Sequence, residues 1–160
     1  MTKNSTNSSF LVGWREWASL PELNIPFIKV KIDTGAKTSS LHAFNIEVTE
    51  QDNIKYVSFS IHPLRNNDTI ARRNIAKVIG IKKVKSSNGH VEERYTINTL
   101  IRINHKIWCI DATLTNRDIM RHRMLLGREA LEAILVDPSK SFCQGKIKRR
   151  EVLKAYETIF

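Results

Sequence analysis

Signatures for bound metal and bound nucleotide are both missing from this sequence. No His-Glu-x-x-His occurs, so no helix carries two histidines one turn apart with a glutamate base between them, and the zincin arrangement is excluded. The five histidines, His42, His62, His90, His105 and His122, are scattered singly. There is no Gly-x-x-x-x-Gly-Lys-Ser/Thr loop to cradle phosphates. The expectation is therefore a chain with no metal and no nucleotide cofactor. Cysteine is scarce: Cys109 and Cys143 are the only two, in no metal-like spacing, which suits a reducing cytoplasm and does not require a disulfide. No apolar run approaches the length of a membrane span, so no membrane partner is expected. Met1 to Ser9 are polar with no apolar segment behind them, and residues 1–10 read as a flexible tail, not a secretory signal. Acid is in short supply as well, with 16 Asp and Glu against 26 Lys and Arg, a net charge of +10.

The excess base is uneven. One cluster holds Arg72, Arg73, Lys77, Lys82, Lys83 and Lys85; a second holds Lys140, Lys146, Lys148, Arg149, Arg150 and Lys154. Such surfaces attract polyanions, whether nucleic acid, ribosomes or acidic polypeptide segments, and solubility alone is the other reading. Neither the cluster around Lys82 nor that around Arg149 contains more than an occasional aromatic, so sequence-selective stacking on nucleic acid is not expected.

With 160 residues and a 41% hydrophobic share, the chain suits one globular domain with a sizeable core. Strand patterns dominate. Ile28, Val30 and Ile32 alternate with Lys29 and Lys31, and Val57, Phe59 and Ile61 alternate with Ser58, Ser60 and His62. Asn88-Gly89 between two strand-like runs predicts a projecting hairpin. Residues 95–103 turn through Asn104-His105 into 107–114, a long antiparallel pair with Trp108, Ile110, Ala112 and Leu114 on one face. The stretch 116–123 reads as a short helical turn and Met124-Leu125-Leu126 as a brief strand. Arg128 to Ile134 is rich in helix formers and predicts a short helix. Near the end, Val152, Tyr156 and Ile159 have helical spacing, and this basic tail is expected to dock on its own domain. The domain boundaries are 11–138 for a β-barrel and 139–160 for the partly helical tail.

The first of the clear strands runs into Asp33-Thr34-Gly35-Ala36. An apolar strand ending in Asp-Thr-Gly is how an aspartic protease presents its catalytic carboxylate. Two carboxylates held about 3 Å apart cannot both ionise, so the pair shares a proton. The ionised one then takes a proton from water while its neutral partner donates to the substrate carbonyl. Gly35 lets backbones approach closely. Ala36 offers no hydroxyl to the carboxylate, which predicts a pH optimum nearer neutrality than for an aspartic protease with serine there. The triplet occurs once, so catalysis requires a second chain: a closed isologous dimer brings Asp33 next to its own copy. Ser39 and His42 lack a third group to orient them and are not expected to act as nucleophile and base. Trp14, Trp17 and Trp108 are expected in the core, with a peptide groove as the alternative.

Five ordered segments, Gly13-Trp14-Arg15-Glu16-Trp17, Lys31 to Ala43, Lys85 to His90 with Glu93-Arg94, Leu114 to Arg117, and Met124 to Arg128, resemble the bacterial family labelled ATP-dependent zinc proteases. The resemblance runs from about Leu11 to Asp137. It implies a mainly β, retropepsin-like (acid protease) closed barrel, a cytoplasmic setting alongside peptide-modifying ligases, and aspartic endopeptidase activity of a homodimer on a polypeptide. The residues support neither the zinc nor the ATP of that label. By position, Asp33 becomes catalytic, Thr34, Gly35 and Ala36 shape its loop, and Leu126, Gly127 and Arg128 support it. Ser86, Ser87, Asn88, Gly89 and Arg94 belong to a flap or substrate contact, with the loop from Arg65 to Asp68 as the other candidate flap. Arg128 is implied to be a buried brace, yet the place of its acidic partner in retroviral enzymes holds Lys37. The competing reading is a non-catalytic retropepsin-like module that binds a polypeptide or RNA through its basic surface.

Overall fold

The computed structural model of the protein describes residues 9–85, 88–116 and 122–157. After a short β1 (Phe10–Val12), the chain forms β2 (Arg15–Leu20) and β3 (Ile25–Ile32), then β4 (Ser39–His42), β5 (Phe44–Gln51), β6 (Ile54–Ile61) and β7 (Arg72–Lys77). β8 (Gly80–Lys85), β9 (Val91–Ile103) and β10 (Lys106–Thr115) follow, then β11 (Met124–Leu126), β12 (Ile134–Val136) and one helix, α1 (Arg149–Glu157). The mainly β class and the C-terminal helix match the pattern read from the sequence.

Six strands close on themselves in the order β10-β4-β11-β3-β2-β9, with β9 pairing back to β10. Closure leaves no open edge in the barrel wall. Alternation decides what fills it: Ile28, Val30 and Ile32 of β3 point inward beside Leu41, Ile97, Ile101, Leu114, Met124 and Leu126, all buried. β5, β6 and β7 form a separate three-stranded sheet, whose Val57, Phe59 and Ile61 complete the core. β8 hangs outside the barrel on β9, with Lys82 opposite Arg94, so β8 and β9 make the projecting hairpin.

The short helix expected after Gly127 is a single 3₁₀ turn, Arg128–Ala130. Ala133 then takes a left-handed φ of 62°, and Ile134 to Val136 pair in parallel with Phe10 to Val12. Strand pairing with the distant β1 overrides the local helix preference. The turn expected within 116–123 lies largely outside the described residues.

α1 packs on β3 through Val152 and Tyr156. The Tyr156 hydroxyl donates to the Phe27 carbonyl, and burial pushes the phenol far above its ordinary value of 10. The unfolded chain loses this proton near pH 10 while the folded one keeps it, so this contribution to stability is complete below pH 10 and declines above it. The melting temperature of the wild type should therefore fall more steeply than that of Tyr156→Phe from pH 10 to about pH 11.5. Equal slopes would remove Tyr156 as a source of alkaline instability.

Candidate active site

β11 lies between β3 and β4, parallel to the first and antiparallel to the second. The chain leaves β3 at Asp33, arches over the end of β11 and returns as β4. The arch is pinned from below by the residues that follow β11. Asp33 N–H donates to the Leu126 carbonyl (2.8 Å), Arg128 N–H to Ala36 (2.7 Å) and Glu129 N–H to Lys37 (3.0 Å). Gly127 N–H donates to the buried Ser39 hydroxyl (3.1 Å). Main-chain groups that a bare loop would leave without partners are thus satisfied, and the position of Asp33 is set by backbone on both sides.

Asp33 is half-buried and its neighbours Thr34 and Gly35 are exposed. Gly35 N–H donates to Asp33 Oδ1 (3.0 Å), while Ala36 N–H donates to the Asp33 carbonyl (3.2 Å). One carboxylate oxygen is therefore held from within the loop. The strict need for glycine falls elsewhere than at Gly35. A Cβ on Gly127 would stand 2.4 Å from the Thr38 carbonyl oxygen and 2.9 Å from that of Ala36. Both obstacles are backbone, so Gly127→Ala is expected to lower stability by about 3 kcal/mol and to displace the arch. Urea unfolding checks it; a neutral substitution would mean that the arch and β11 are not in such close approach.

Arg128 does brace the arch, but not as a buried residue. It is exposed, and its Nη1 donates to the Thr34 carbonyl at 3.1 Å. Lys37, which stands where an acid was wanted, meets Glu129 instead at 3.8 Å. That exposed pair contributes little; the carbonyl of Thr34 is the substitute acceptor.

Ser39 and His42 are both buried, three residues apart on one strand and so on opposite faces. Ser39 serves the Gly127 N–H.

The β8–β9 hairpin reaches this site: Lys82 Nζ donates to Thr38 Oγ1 at 3.2 Å. Gly89 at its tip has φ 87°, and Arg94 pairs with Glu92 at 3.5 Å. Ser86 and Ser87 lie outside the described residues. The segment Leu64, Arg65 and Asn67 borders a different cleft, on the outer face of β2.

One residue role was missed in the sequence. Glu16 is completely buried and accepts three main-chain N–H groups, from Gly13 (2.7 Å), Cys143 (2.8 Å) and Gln144 (3.0 Å). The signal was present, since alternation places Glu16 on the same inward face as Ala18 and Leu20. Trp14 and Trp17 are half-buried and line that outer cleft together with Phe142, and Trp17 also packs against the core as expected. Trp108 likewise packs on the core, and its Nε1 donates to the Ala130 carbonyl at 3.0 Å. Cys109 and Cys143 are free thiols. Among the described residues no three His, Cys, Asp or Glu come together in a way that could hold a metal ion. Nor does any described helix have the length and apolarity to cross a membrane.

The closed barrel agrees with the known proteins that this chain is similar to. The profile of the RimB-like family, described as retropepsin-like aspartic endopeptidase RimB, matches residues 11–147. The chain belongs to the RimB-like family. That description carries the retropepsin-like fold and supports no zinc or ATP. Among curated proteins, a probable alpha-L-glutamate ligase of Shewanella halifaxensis is 45% identical over 94% of this chain and 33% of its own length. Another of that name, from Desulfotalea psychrophila, is 44% identical over 91% of this chain and 32% of its own. The chain thus spans about a third of the curated relatives it matches. A crystal structure of a Legionella pneumophila protein of unknown function aligns with a TM-score of 0.70 and 31% identity, covering 85% of this chain and 98% of that one.

Proposed function

We propose that the protein is an aspartic-type endopeptidase that works as a homodimer, with one Asp33 from each subunit. The observation that carries this reading is the half-buried Asp33 at the head of an arch held by Leu126, Gly127 and Arg128. Rigid support of this kind is what a carboxylate dyad needs, because the shared proton depends on a separation of about 3 Å. In the dimer, the ionised Asp33 takes a proton from the bound water as the water oxygen attacks the peptide carbonyl carbon. The neutral Asp33 gives its proton to the carbonyl oxygen. Collapse of the tetrahedral intermediate returns a proton to the leaving amine. The β8–β9 hairpin, already joined to the arch through Lys82 and Thr38, closes over the extended substrate and excludes water. Free thiols fit the reducing cytoplasm proposed as its location.

A second reading has its own support. The curated relatives, three times longer, are named ligases, so a barrel of this kind also fits the role of a binding module for a polypeptide or RNA. Cleavage decides between them. The wild type should sediment as a dimer and cut an unfolded polypeptide between about pH 4 and pH 8, and Asp33→Asn should not cut it. A strict monomer, or a dimer that cuts nothing in that range, would leave the module as the better account.

A further inference from the structure

The β8–β9 hairpin is fixed to the barrel at its base and meets the arch again further out. The ladder between β9 and β10 ends at Thr96 and Thr113, whose hydroxyls share a hydrogen bond of 3.3 Å. Ile79 N–H donates to the Thr96 carbonyl at 2.8 Å, and Gly80 is the register partner of Thr96. Beyond this base, residues 91–95 of β9 pair with β8 alone among the described strands. Two positions out along β8, Lys82 Nζ donates to Thr38 Oγ1 at 3.2 Å, a contact between residues 44 apart in sequence.

The hairpin's own charges send Lys82 toward the arch. Lys82 stands opposite Arg94, so two cations share one face of the strand pair and repel each other. Glu92, on that same face, pairs with Arg94 at 3.5 Å, and only 17% of the Arg94 side chain is exposed. With that acid engaged, Lys82 meets a neutral hydroxyl instead. The hydroxyl belongs to the part of the arch held most tightly. A Cβ on Gly127 would stand 2.4 Å from the Thr38 carbonyl oxygen, the Lys37 carbonyl accepts from Glu129 N–H, and the Ser39 hydroxyl accepts from Gly127 N–H. A hydrogen bond from an ammonium to a half-buried hydroxyl is strong enough to bias the hairpin and weak enough to open readily.

We infer that Lys82 is a positioning residue: it latches the β8–β9 hairpin to the arch, with Thr38 Oγ1 as the catch, and so sets the spacing between the two walls of the groove beside Asp33. As an aid to cleavage this role rests on the endopeptidase reading; as a latch it does not. Lys82 touches no reacting atom. Its loss therefore changes how firmly a peptide is held and leaves proton transfer at Asp33 as it was. A bound extended peptide supplies most of the closing contacts itself, so the loss falls on KM and not on kcat.

The test has two readouts. In the Asp33→Asn protein, NMR relaxation dispersion of the Gly89 amide follows opening of the hairpin with no cleavage to interfere. Lys82→Met and Thr38→Val should each raise the open population about fivefold, and the two together should do no more than either alone, because they remove one shared bond. Lys82→Arg keeps a donor and Thr38→Ser keeps the hydroxyl, so both should stay within about twofold of the parent protein. With Asp33 restored, Lys82→Met should raise KM for an unfolded polypeptide about fivefold, change kcat less than about twofold and leave the pH profile in place. Circular dichroism checks the fold; if Thr38→Val loses it, Thr38→Ala takes its place in the cycle. An unchanged open population in Lys82→Met, or additive effects in the double variant, would overturn the latch whatever the cleavage assay gives. More opening with an unchanged KM in an active enzyme would overturn the positioning role. More opening beside a wild type that cuts nothing would keep the latch and remove the endopeptidase.

Discussion

Replacing Asp33 by Asn is expected to lower kcat/KM for polypeptide cleavage at least about a thousandfold while changing stability by less than about 0.5 kcal/mol. The two effects separate because they draw on different atoms. Asn keeps an Oδ1 in the same place, so the Gly35 N–H, now 3.0 Å from Asp33 Oδ1, retains its acceptor and the arch keeps its shape. What Asn cannot do is take up and release a proton at neutral pH. The dimer adds a sharper expectation. When wild type and variant are mixed in equal amounts and allowed to exchange subunits, only about a quarter of the dimers hold two Asp33 residues, so activity per wild-type chain should drop about twofold. Mass spectrometry of the peptide products, followed against the mixing ratio, gives the curve. Activity that tracks wild-type concentration linearly would mean that each chain acts alone and that the shared dyad is wrong.

Glu16→Ala should be the most damaging single change to stability, with a loss of at least about 4 kcal/mol in urea unfolding. A typical domain has only about 5–15 kcal/mol in total, so this is a large fraction. The carboxylate is wholly buried and holds three N–H groups, two from the 143–144 segment and one from Gly13 at the entry to β2. Alanine strands all three donors and leaves a cavity. Glu16→Gln should fall between, at about 2 kcal/mol, because its carbonyl oxygen still accepts while its amide group faces other donors. The damage reaches the active site along the backbone. Trp14, in the same turn, accepts from Ile32 N–H at 2.8 Å through its carbonyl, and Ile32 precedes Asp33. Gly13 allows this turn to lie against the C-terminal segment, since a Cβ there would stand 2.2 Å from the Lys140 carbonyl oxygen. A loss below about 1 kcal/mol for Glu16→Ala would show that water or a shifted backbone can replace the carboxylate.

Much of the arch is legible in the sequence. The alternation of Ile28, Val30 and Ile32 identified β3, the Asp-Thr-Gly at its end identified the loop, and Lys37 warned that Arg128 lacked its usual acid. The replacement acceptor was not legible, because a main-chain carbonyl such as that of Thr34 has no residue type to betray it. Helix-forming residues after Gly127 misled for a related reason: β1 lies more than a hundred residues upstream, and its pairing with Ile134 to Val136 outweighs a weak local preference. The cleft on the outer face of β2 was the least visible. Read along the chain, the cluster around Arg149 has few aromatics near it, but folding brings Trp14, Trp17 and Phe142 to its side.

What the sequence determined by itself were the properties set by neighbours a few residues apart: strand periodicity, the Asp33-Thr34-Gly35 loop, the Asn88-Gly89 hairpin, the excess of base and the single copy of the triplet. Side-chain alternation and turn chemistry act over that range, so they can be read directly. Only the tertiary structure decided how Asp33 is held, which residue satisfies Arg128, why Glu16 is an acid in a core, and what Lys82 meets. Those outcomes depend on groups brought together from opposite ends of the chain. Their partners are chosen by barrel closure and by the need to satisfy buried polar groups, and no local pattern records either.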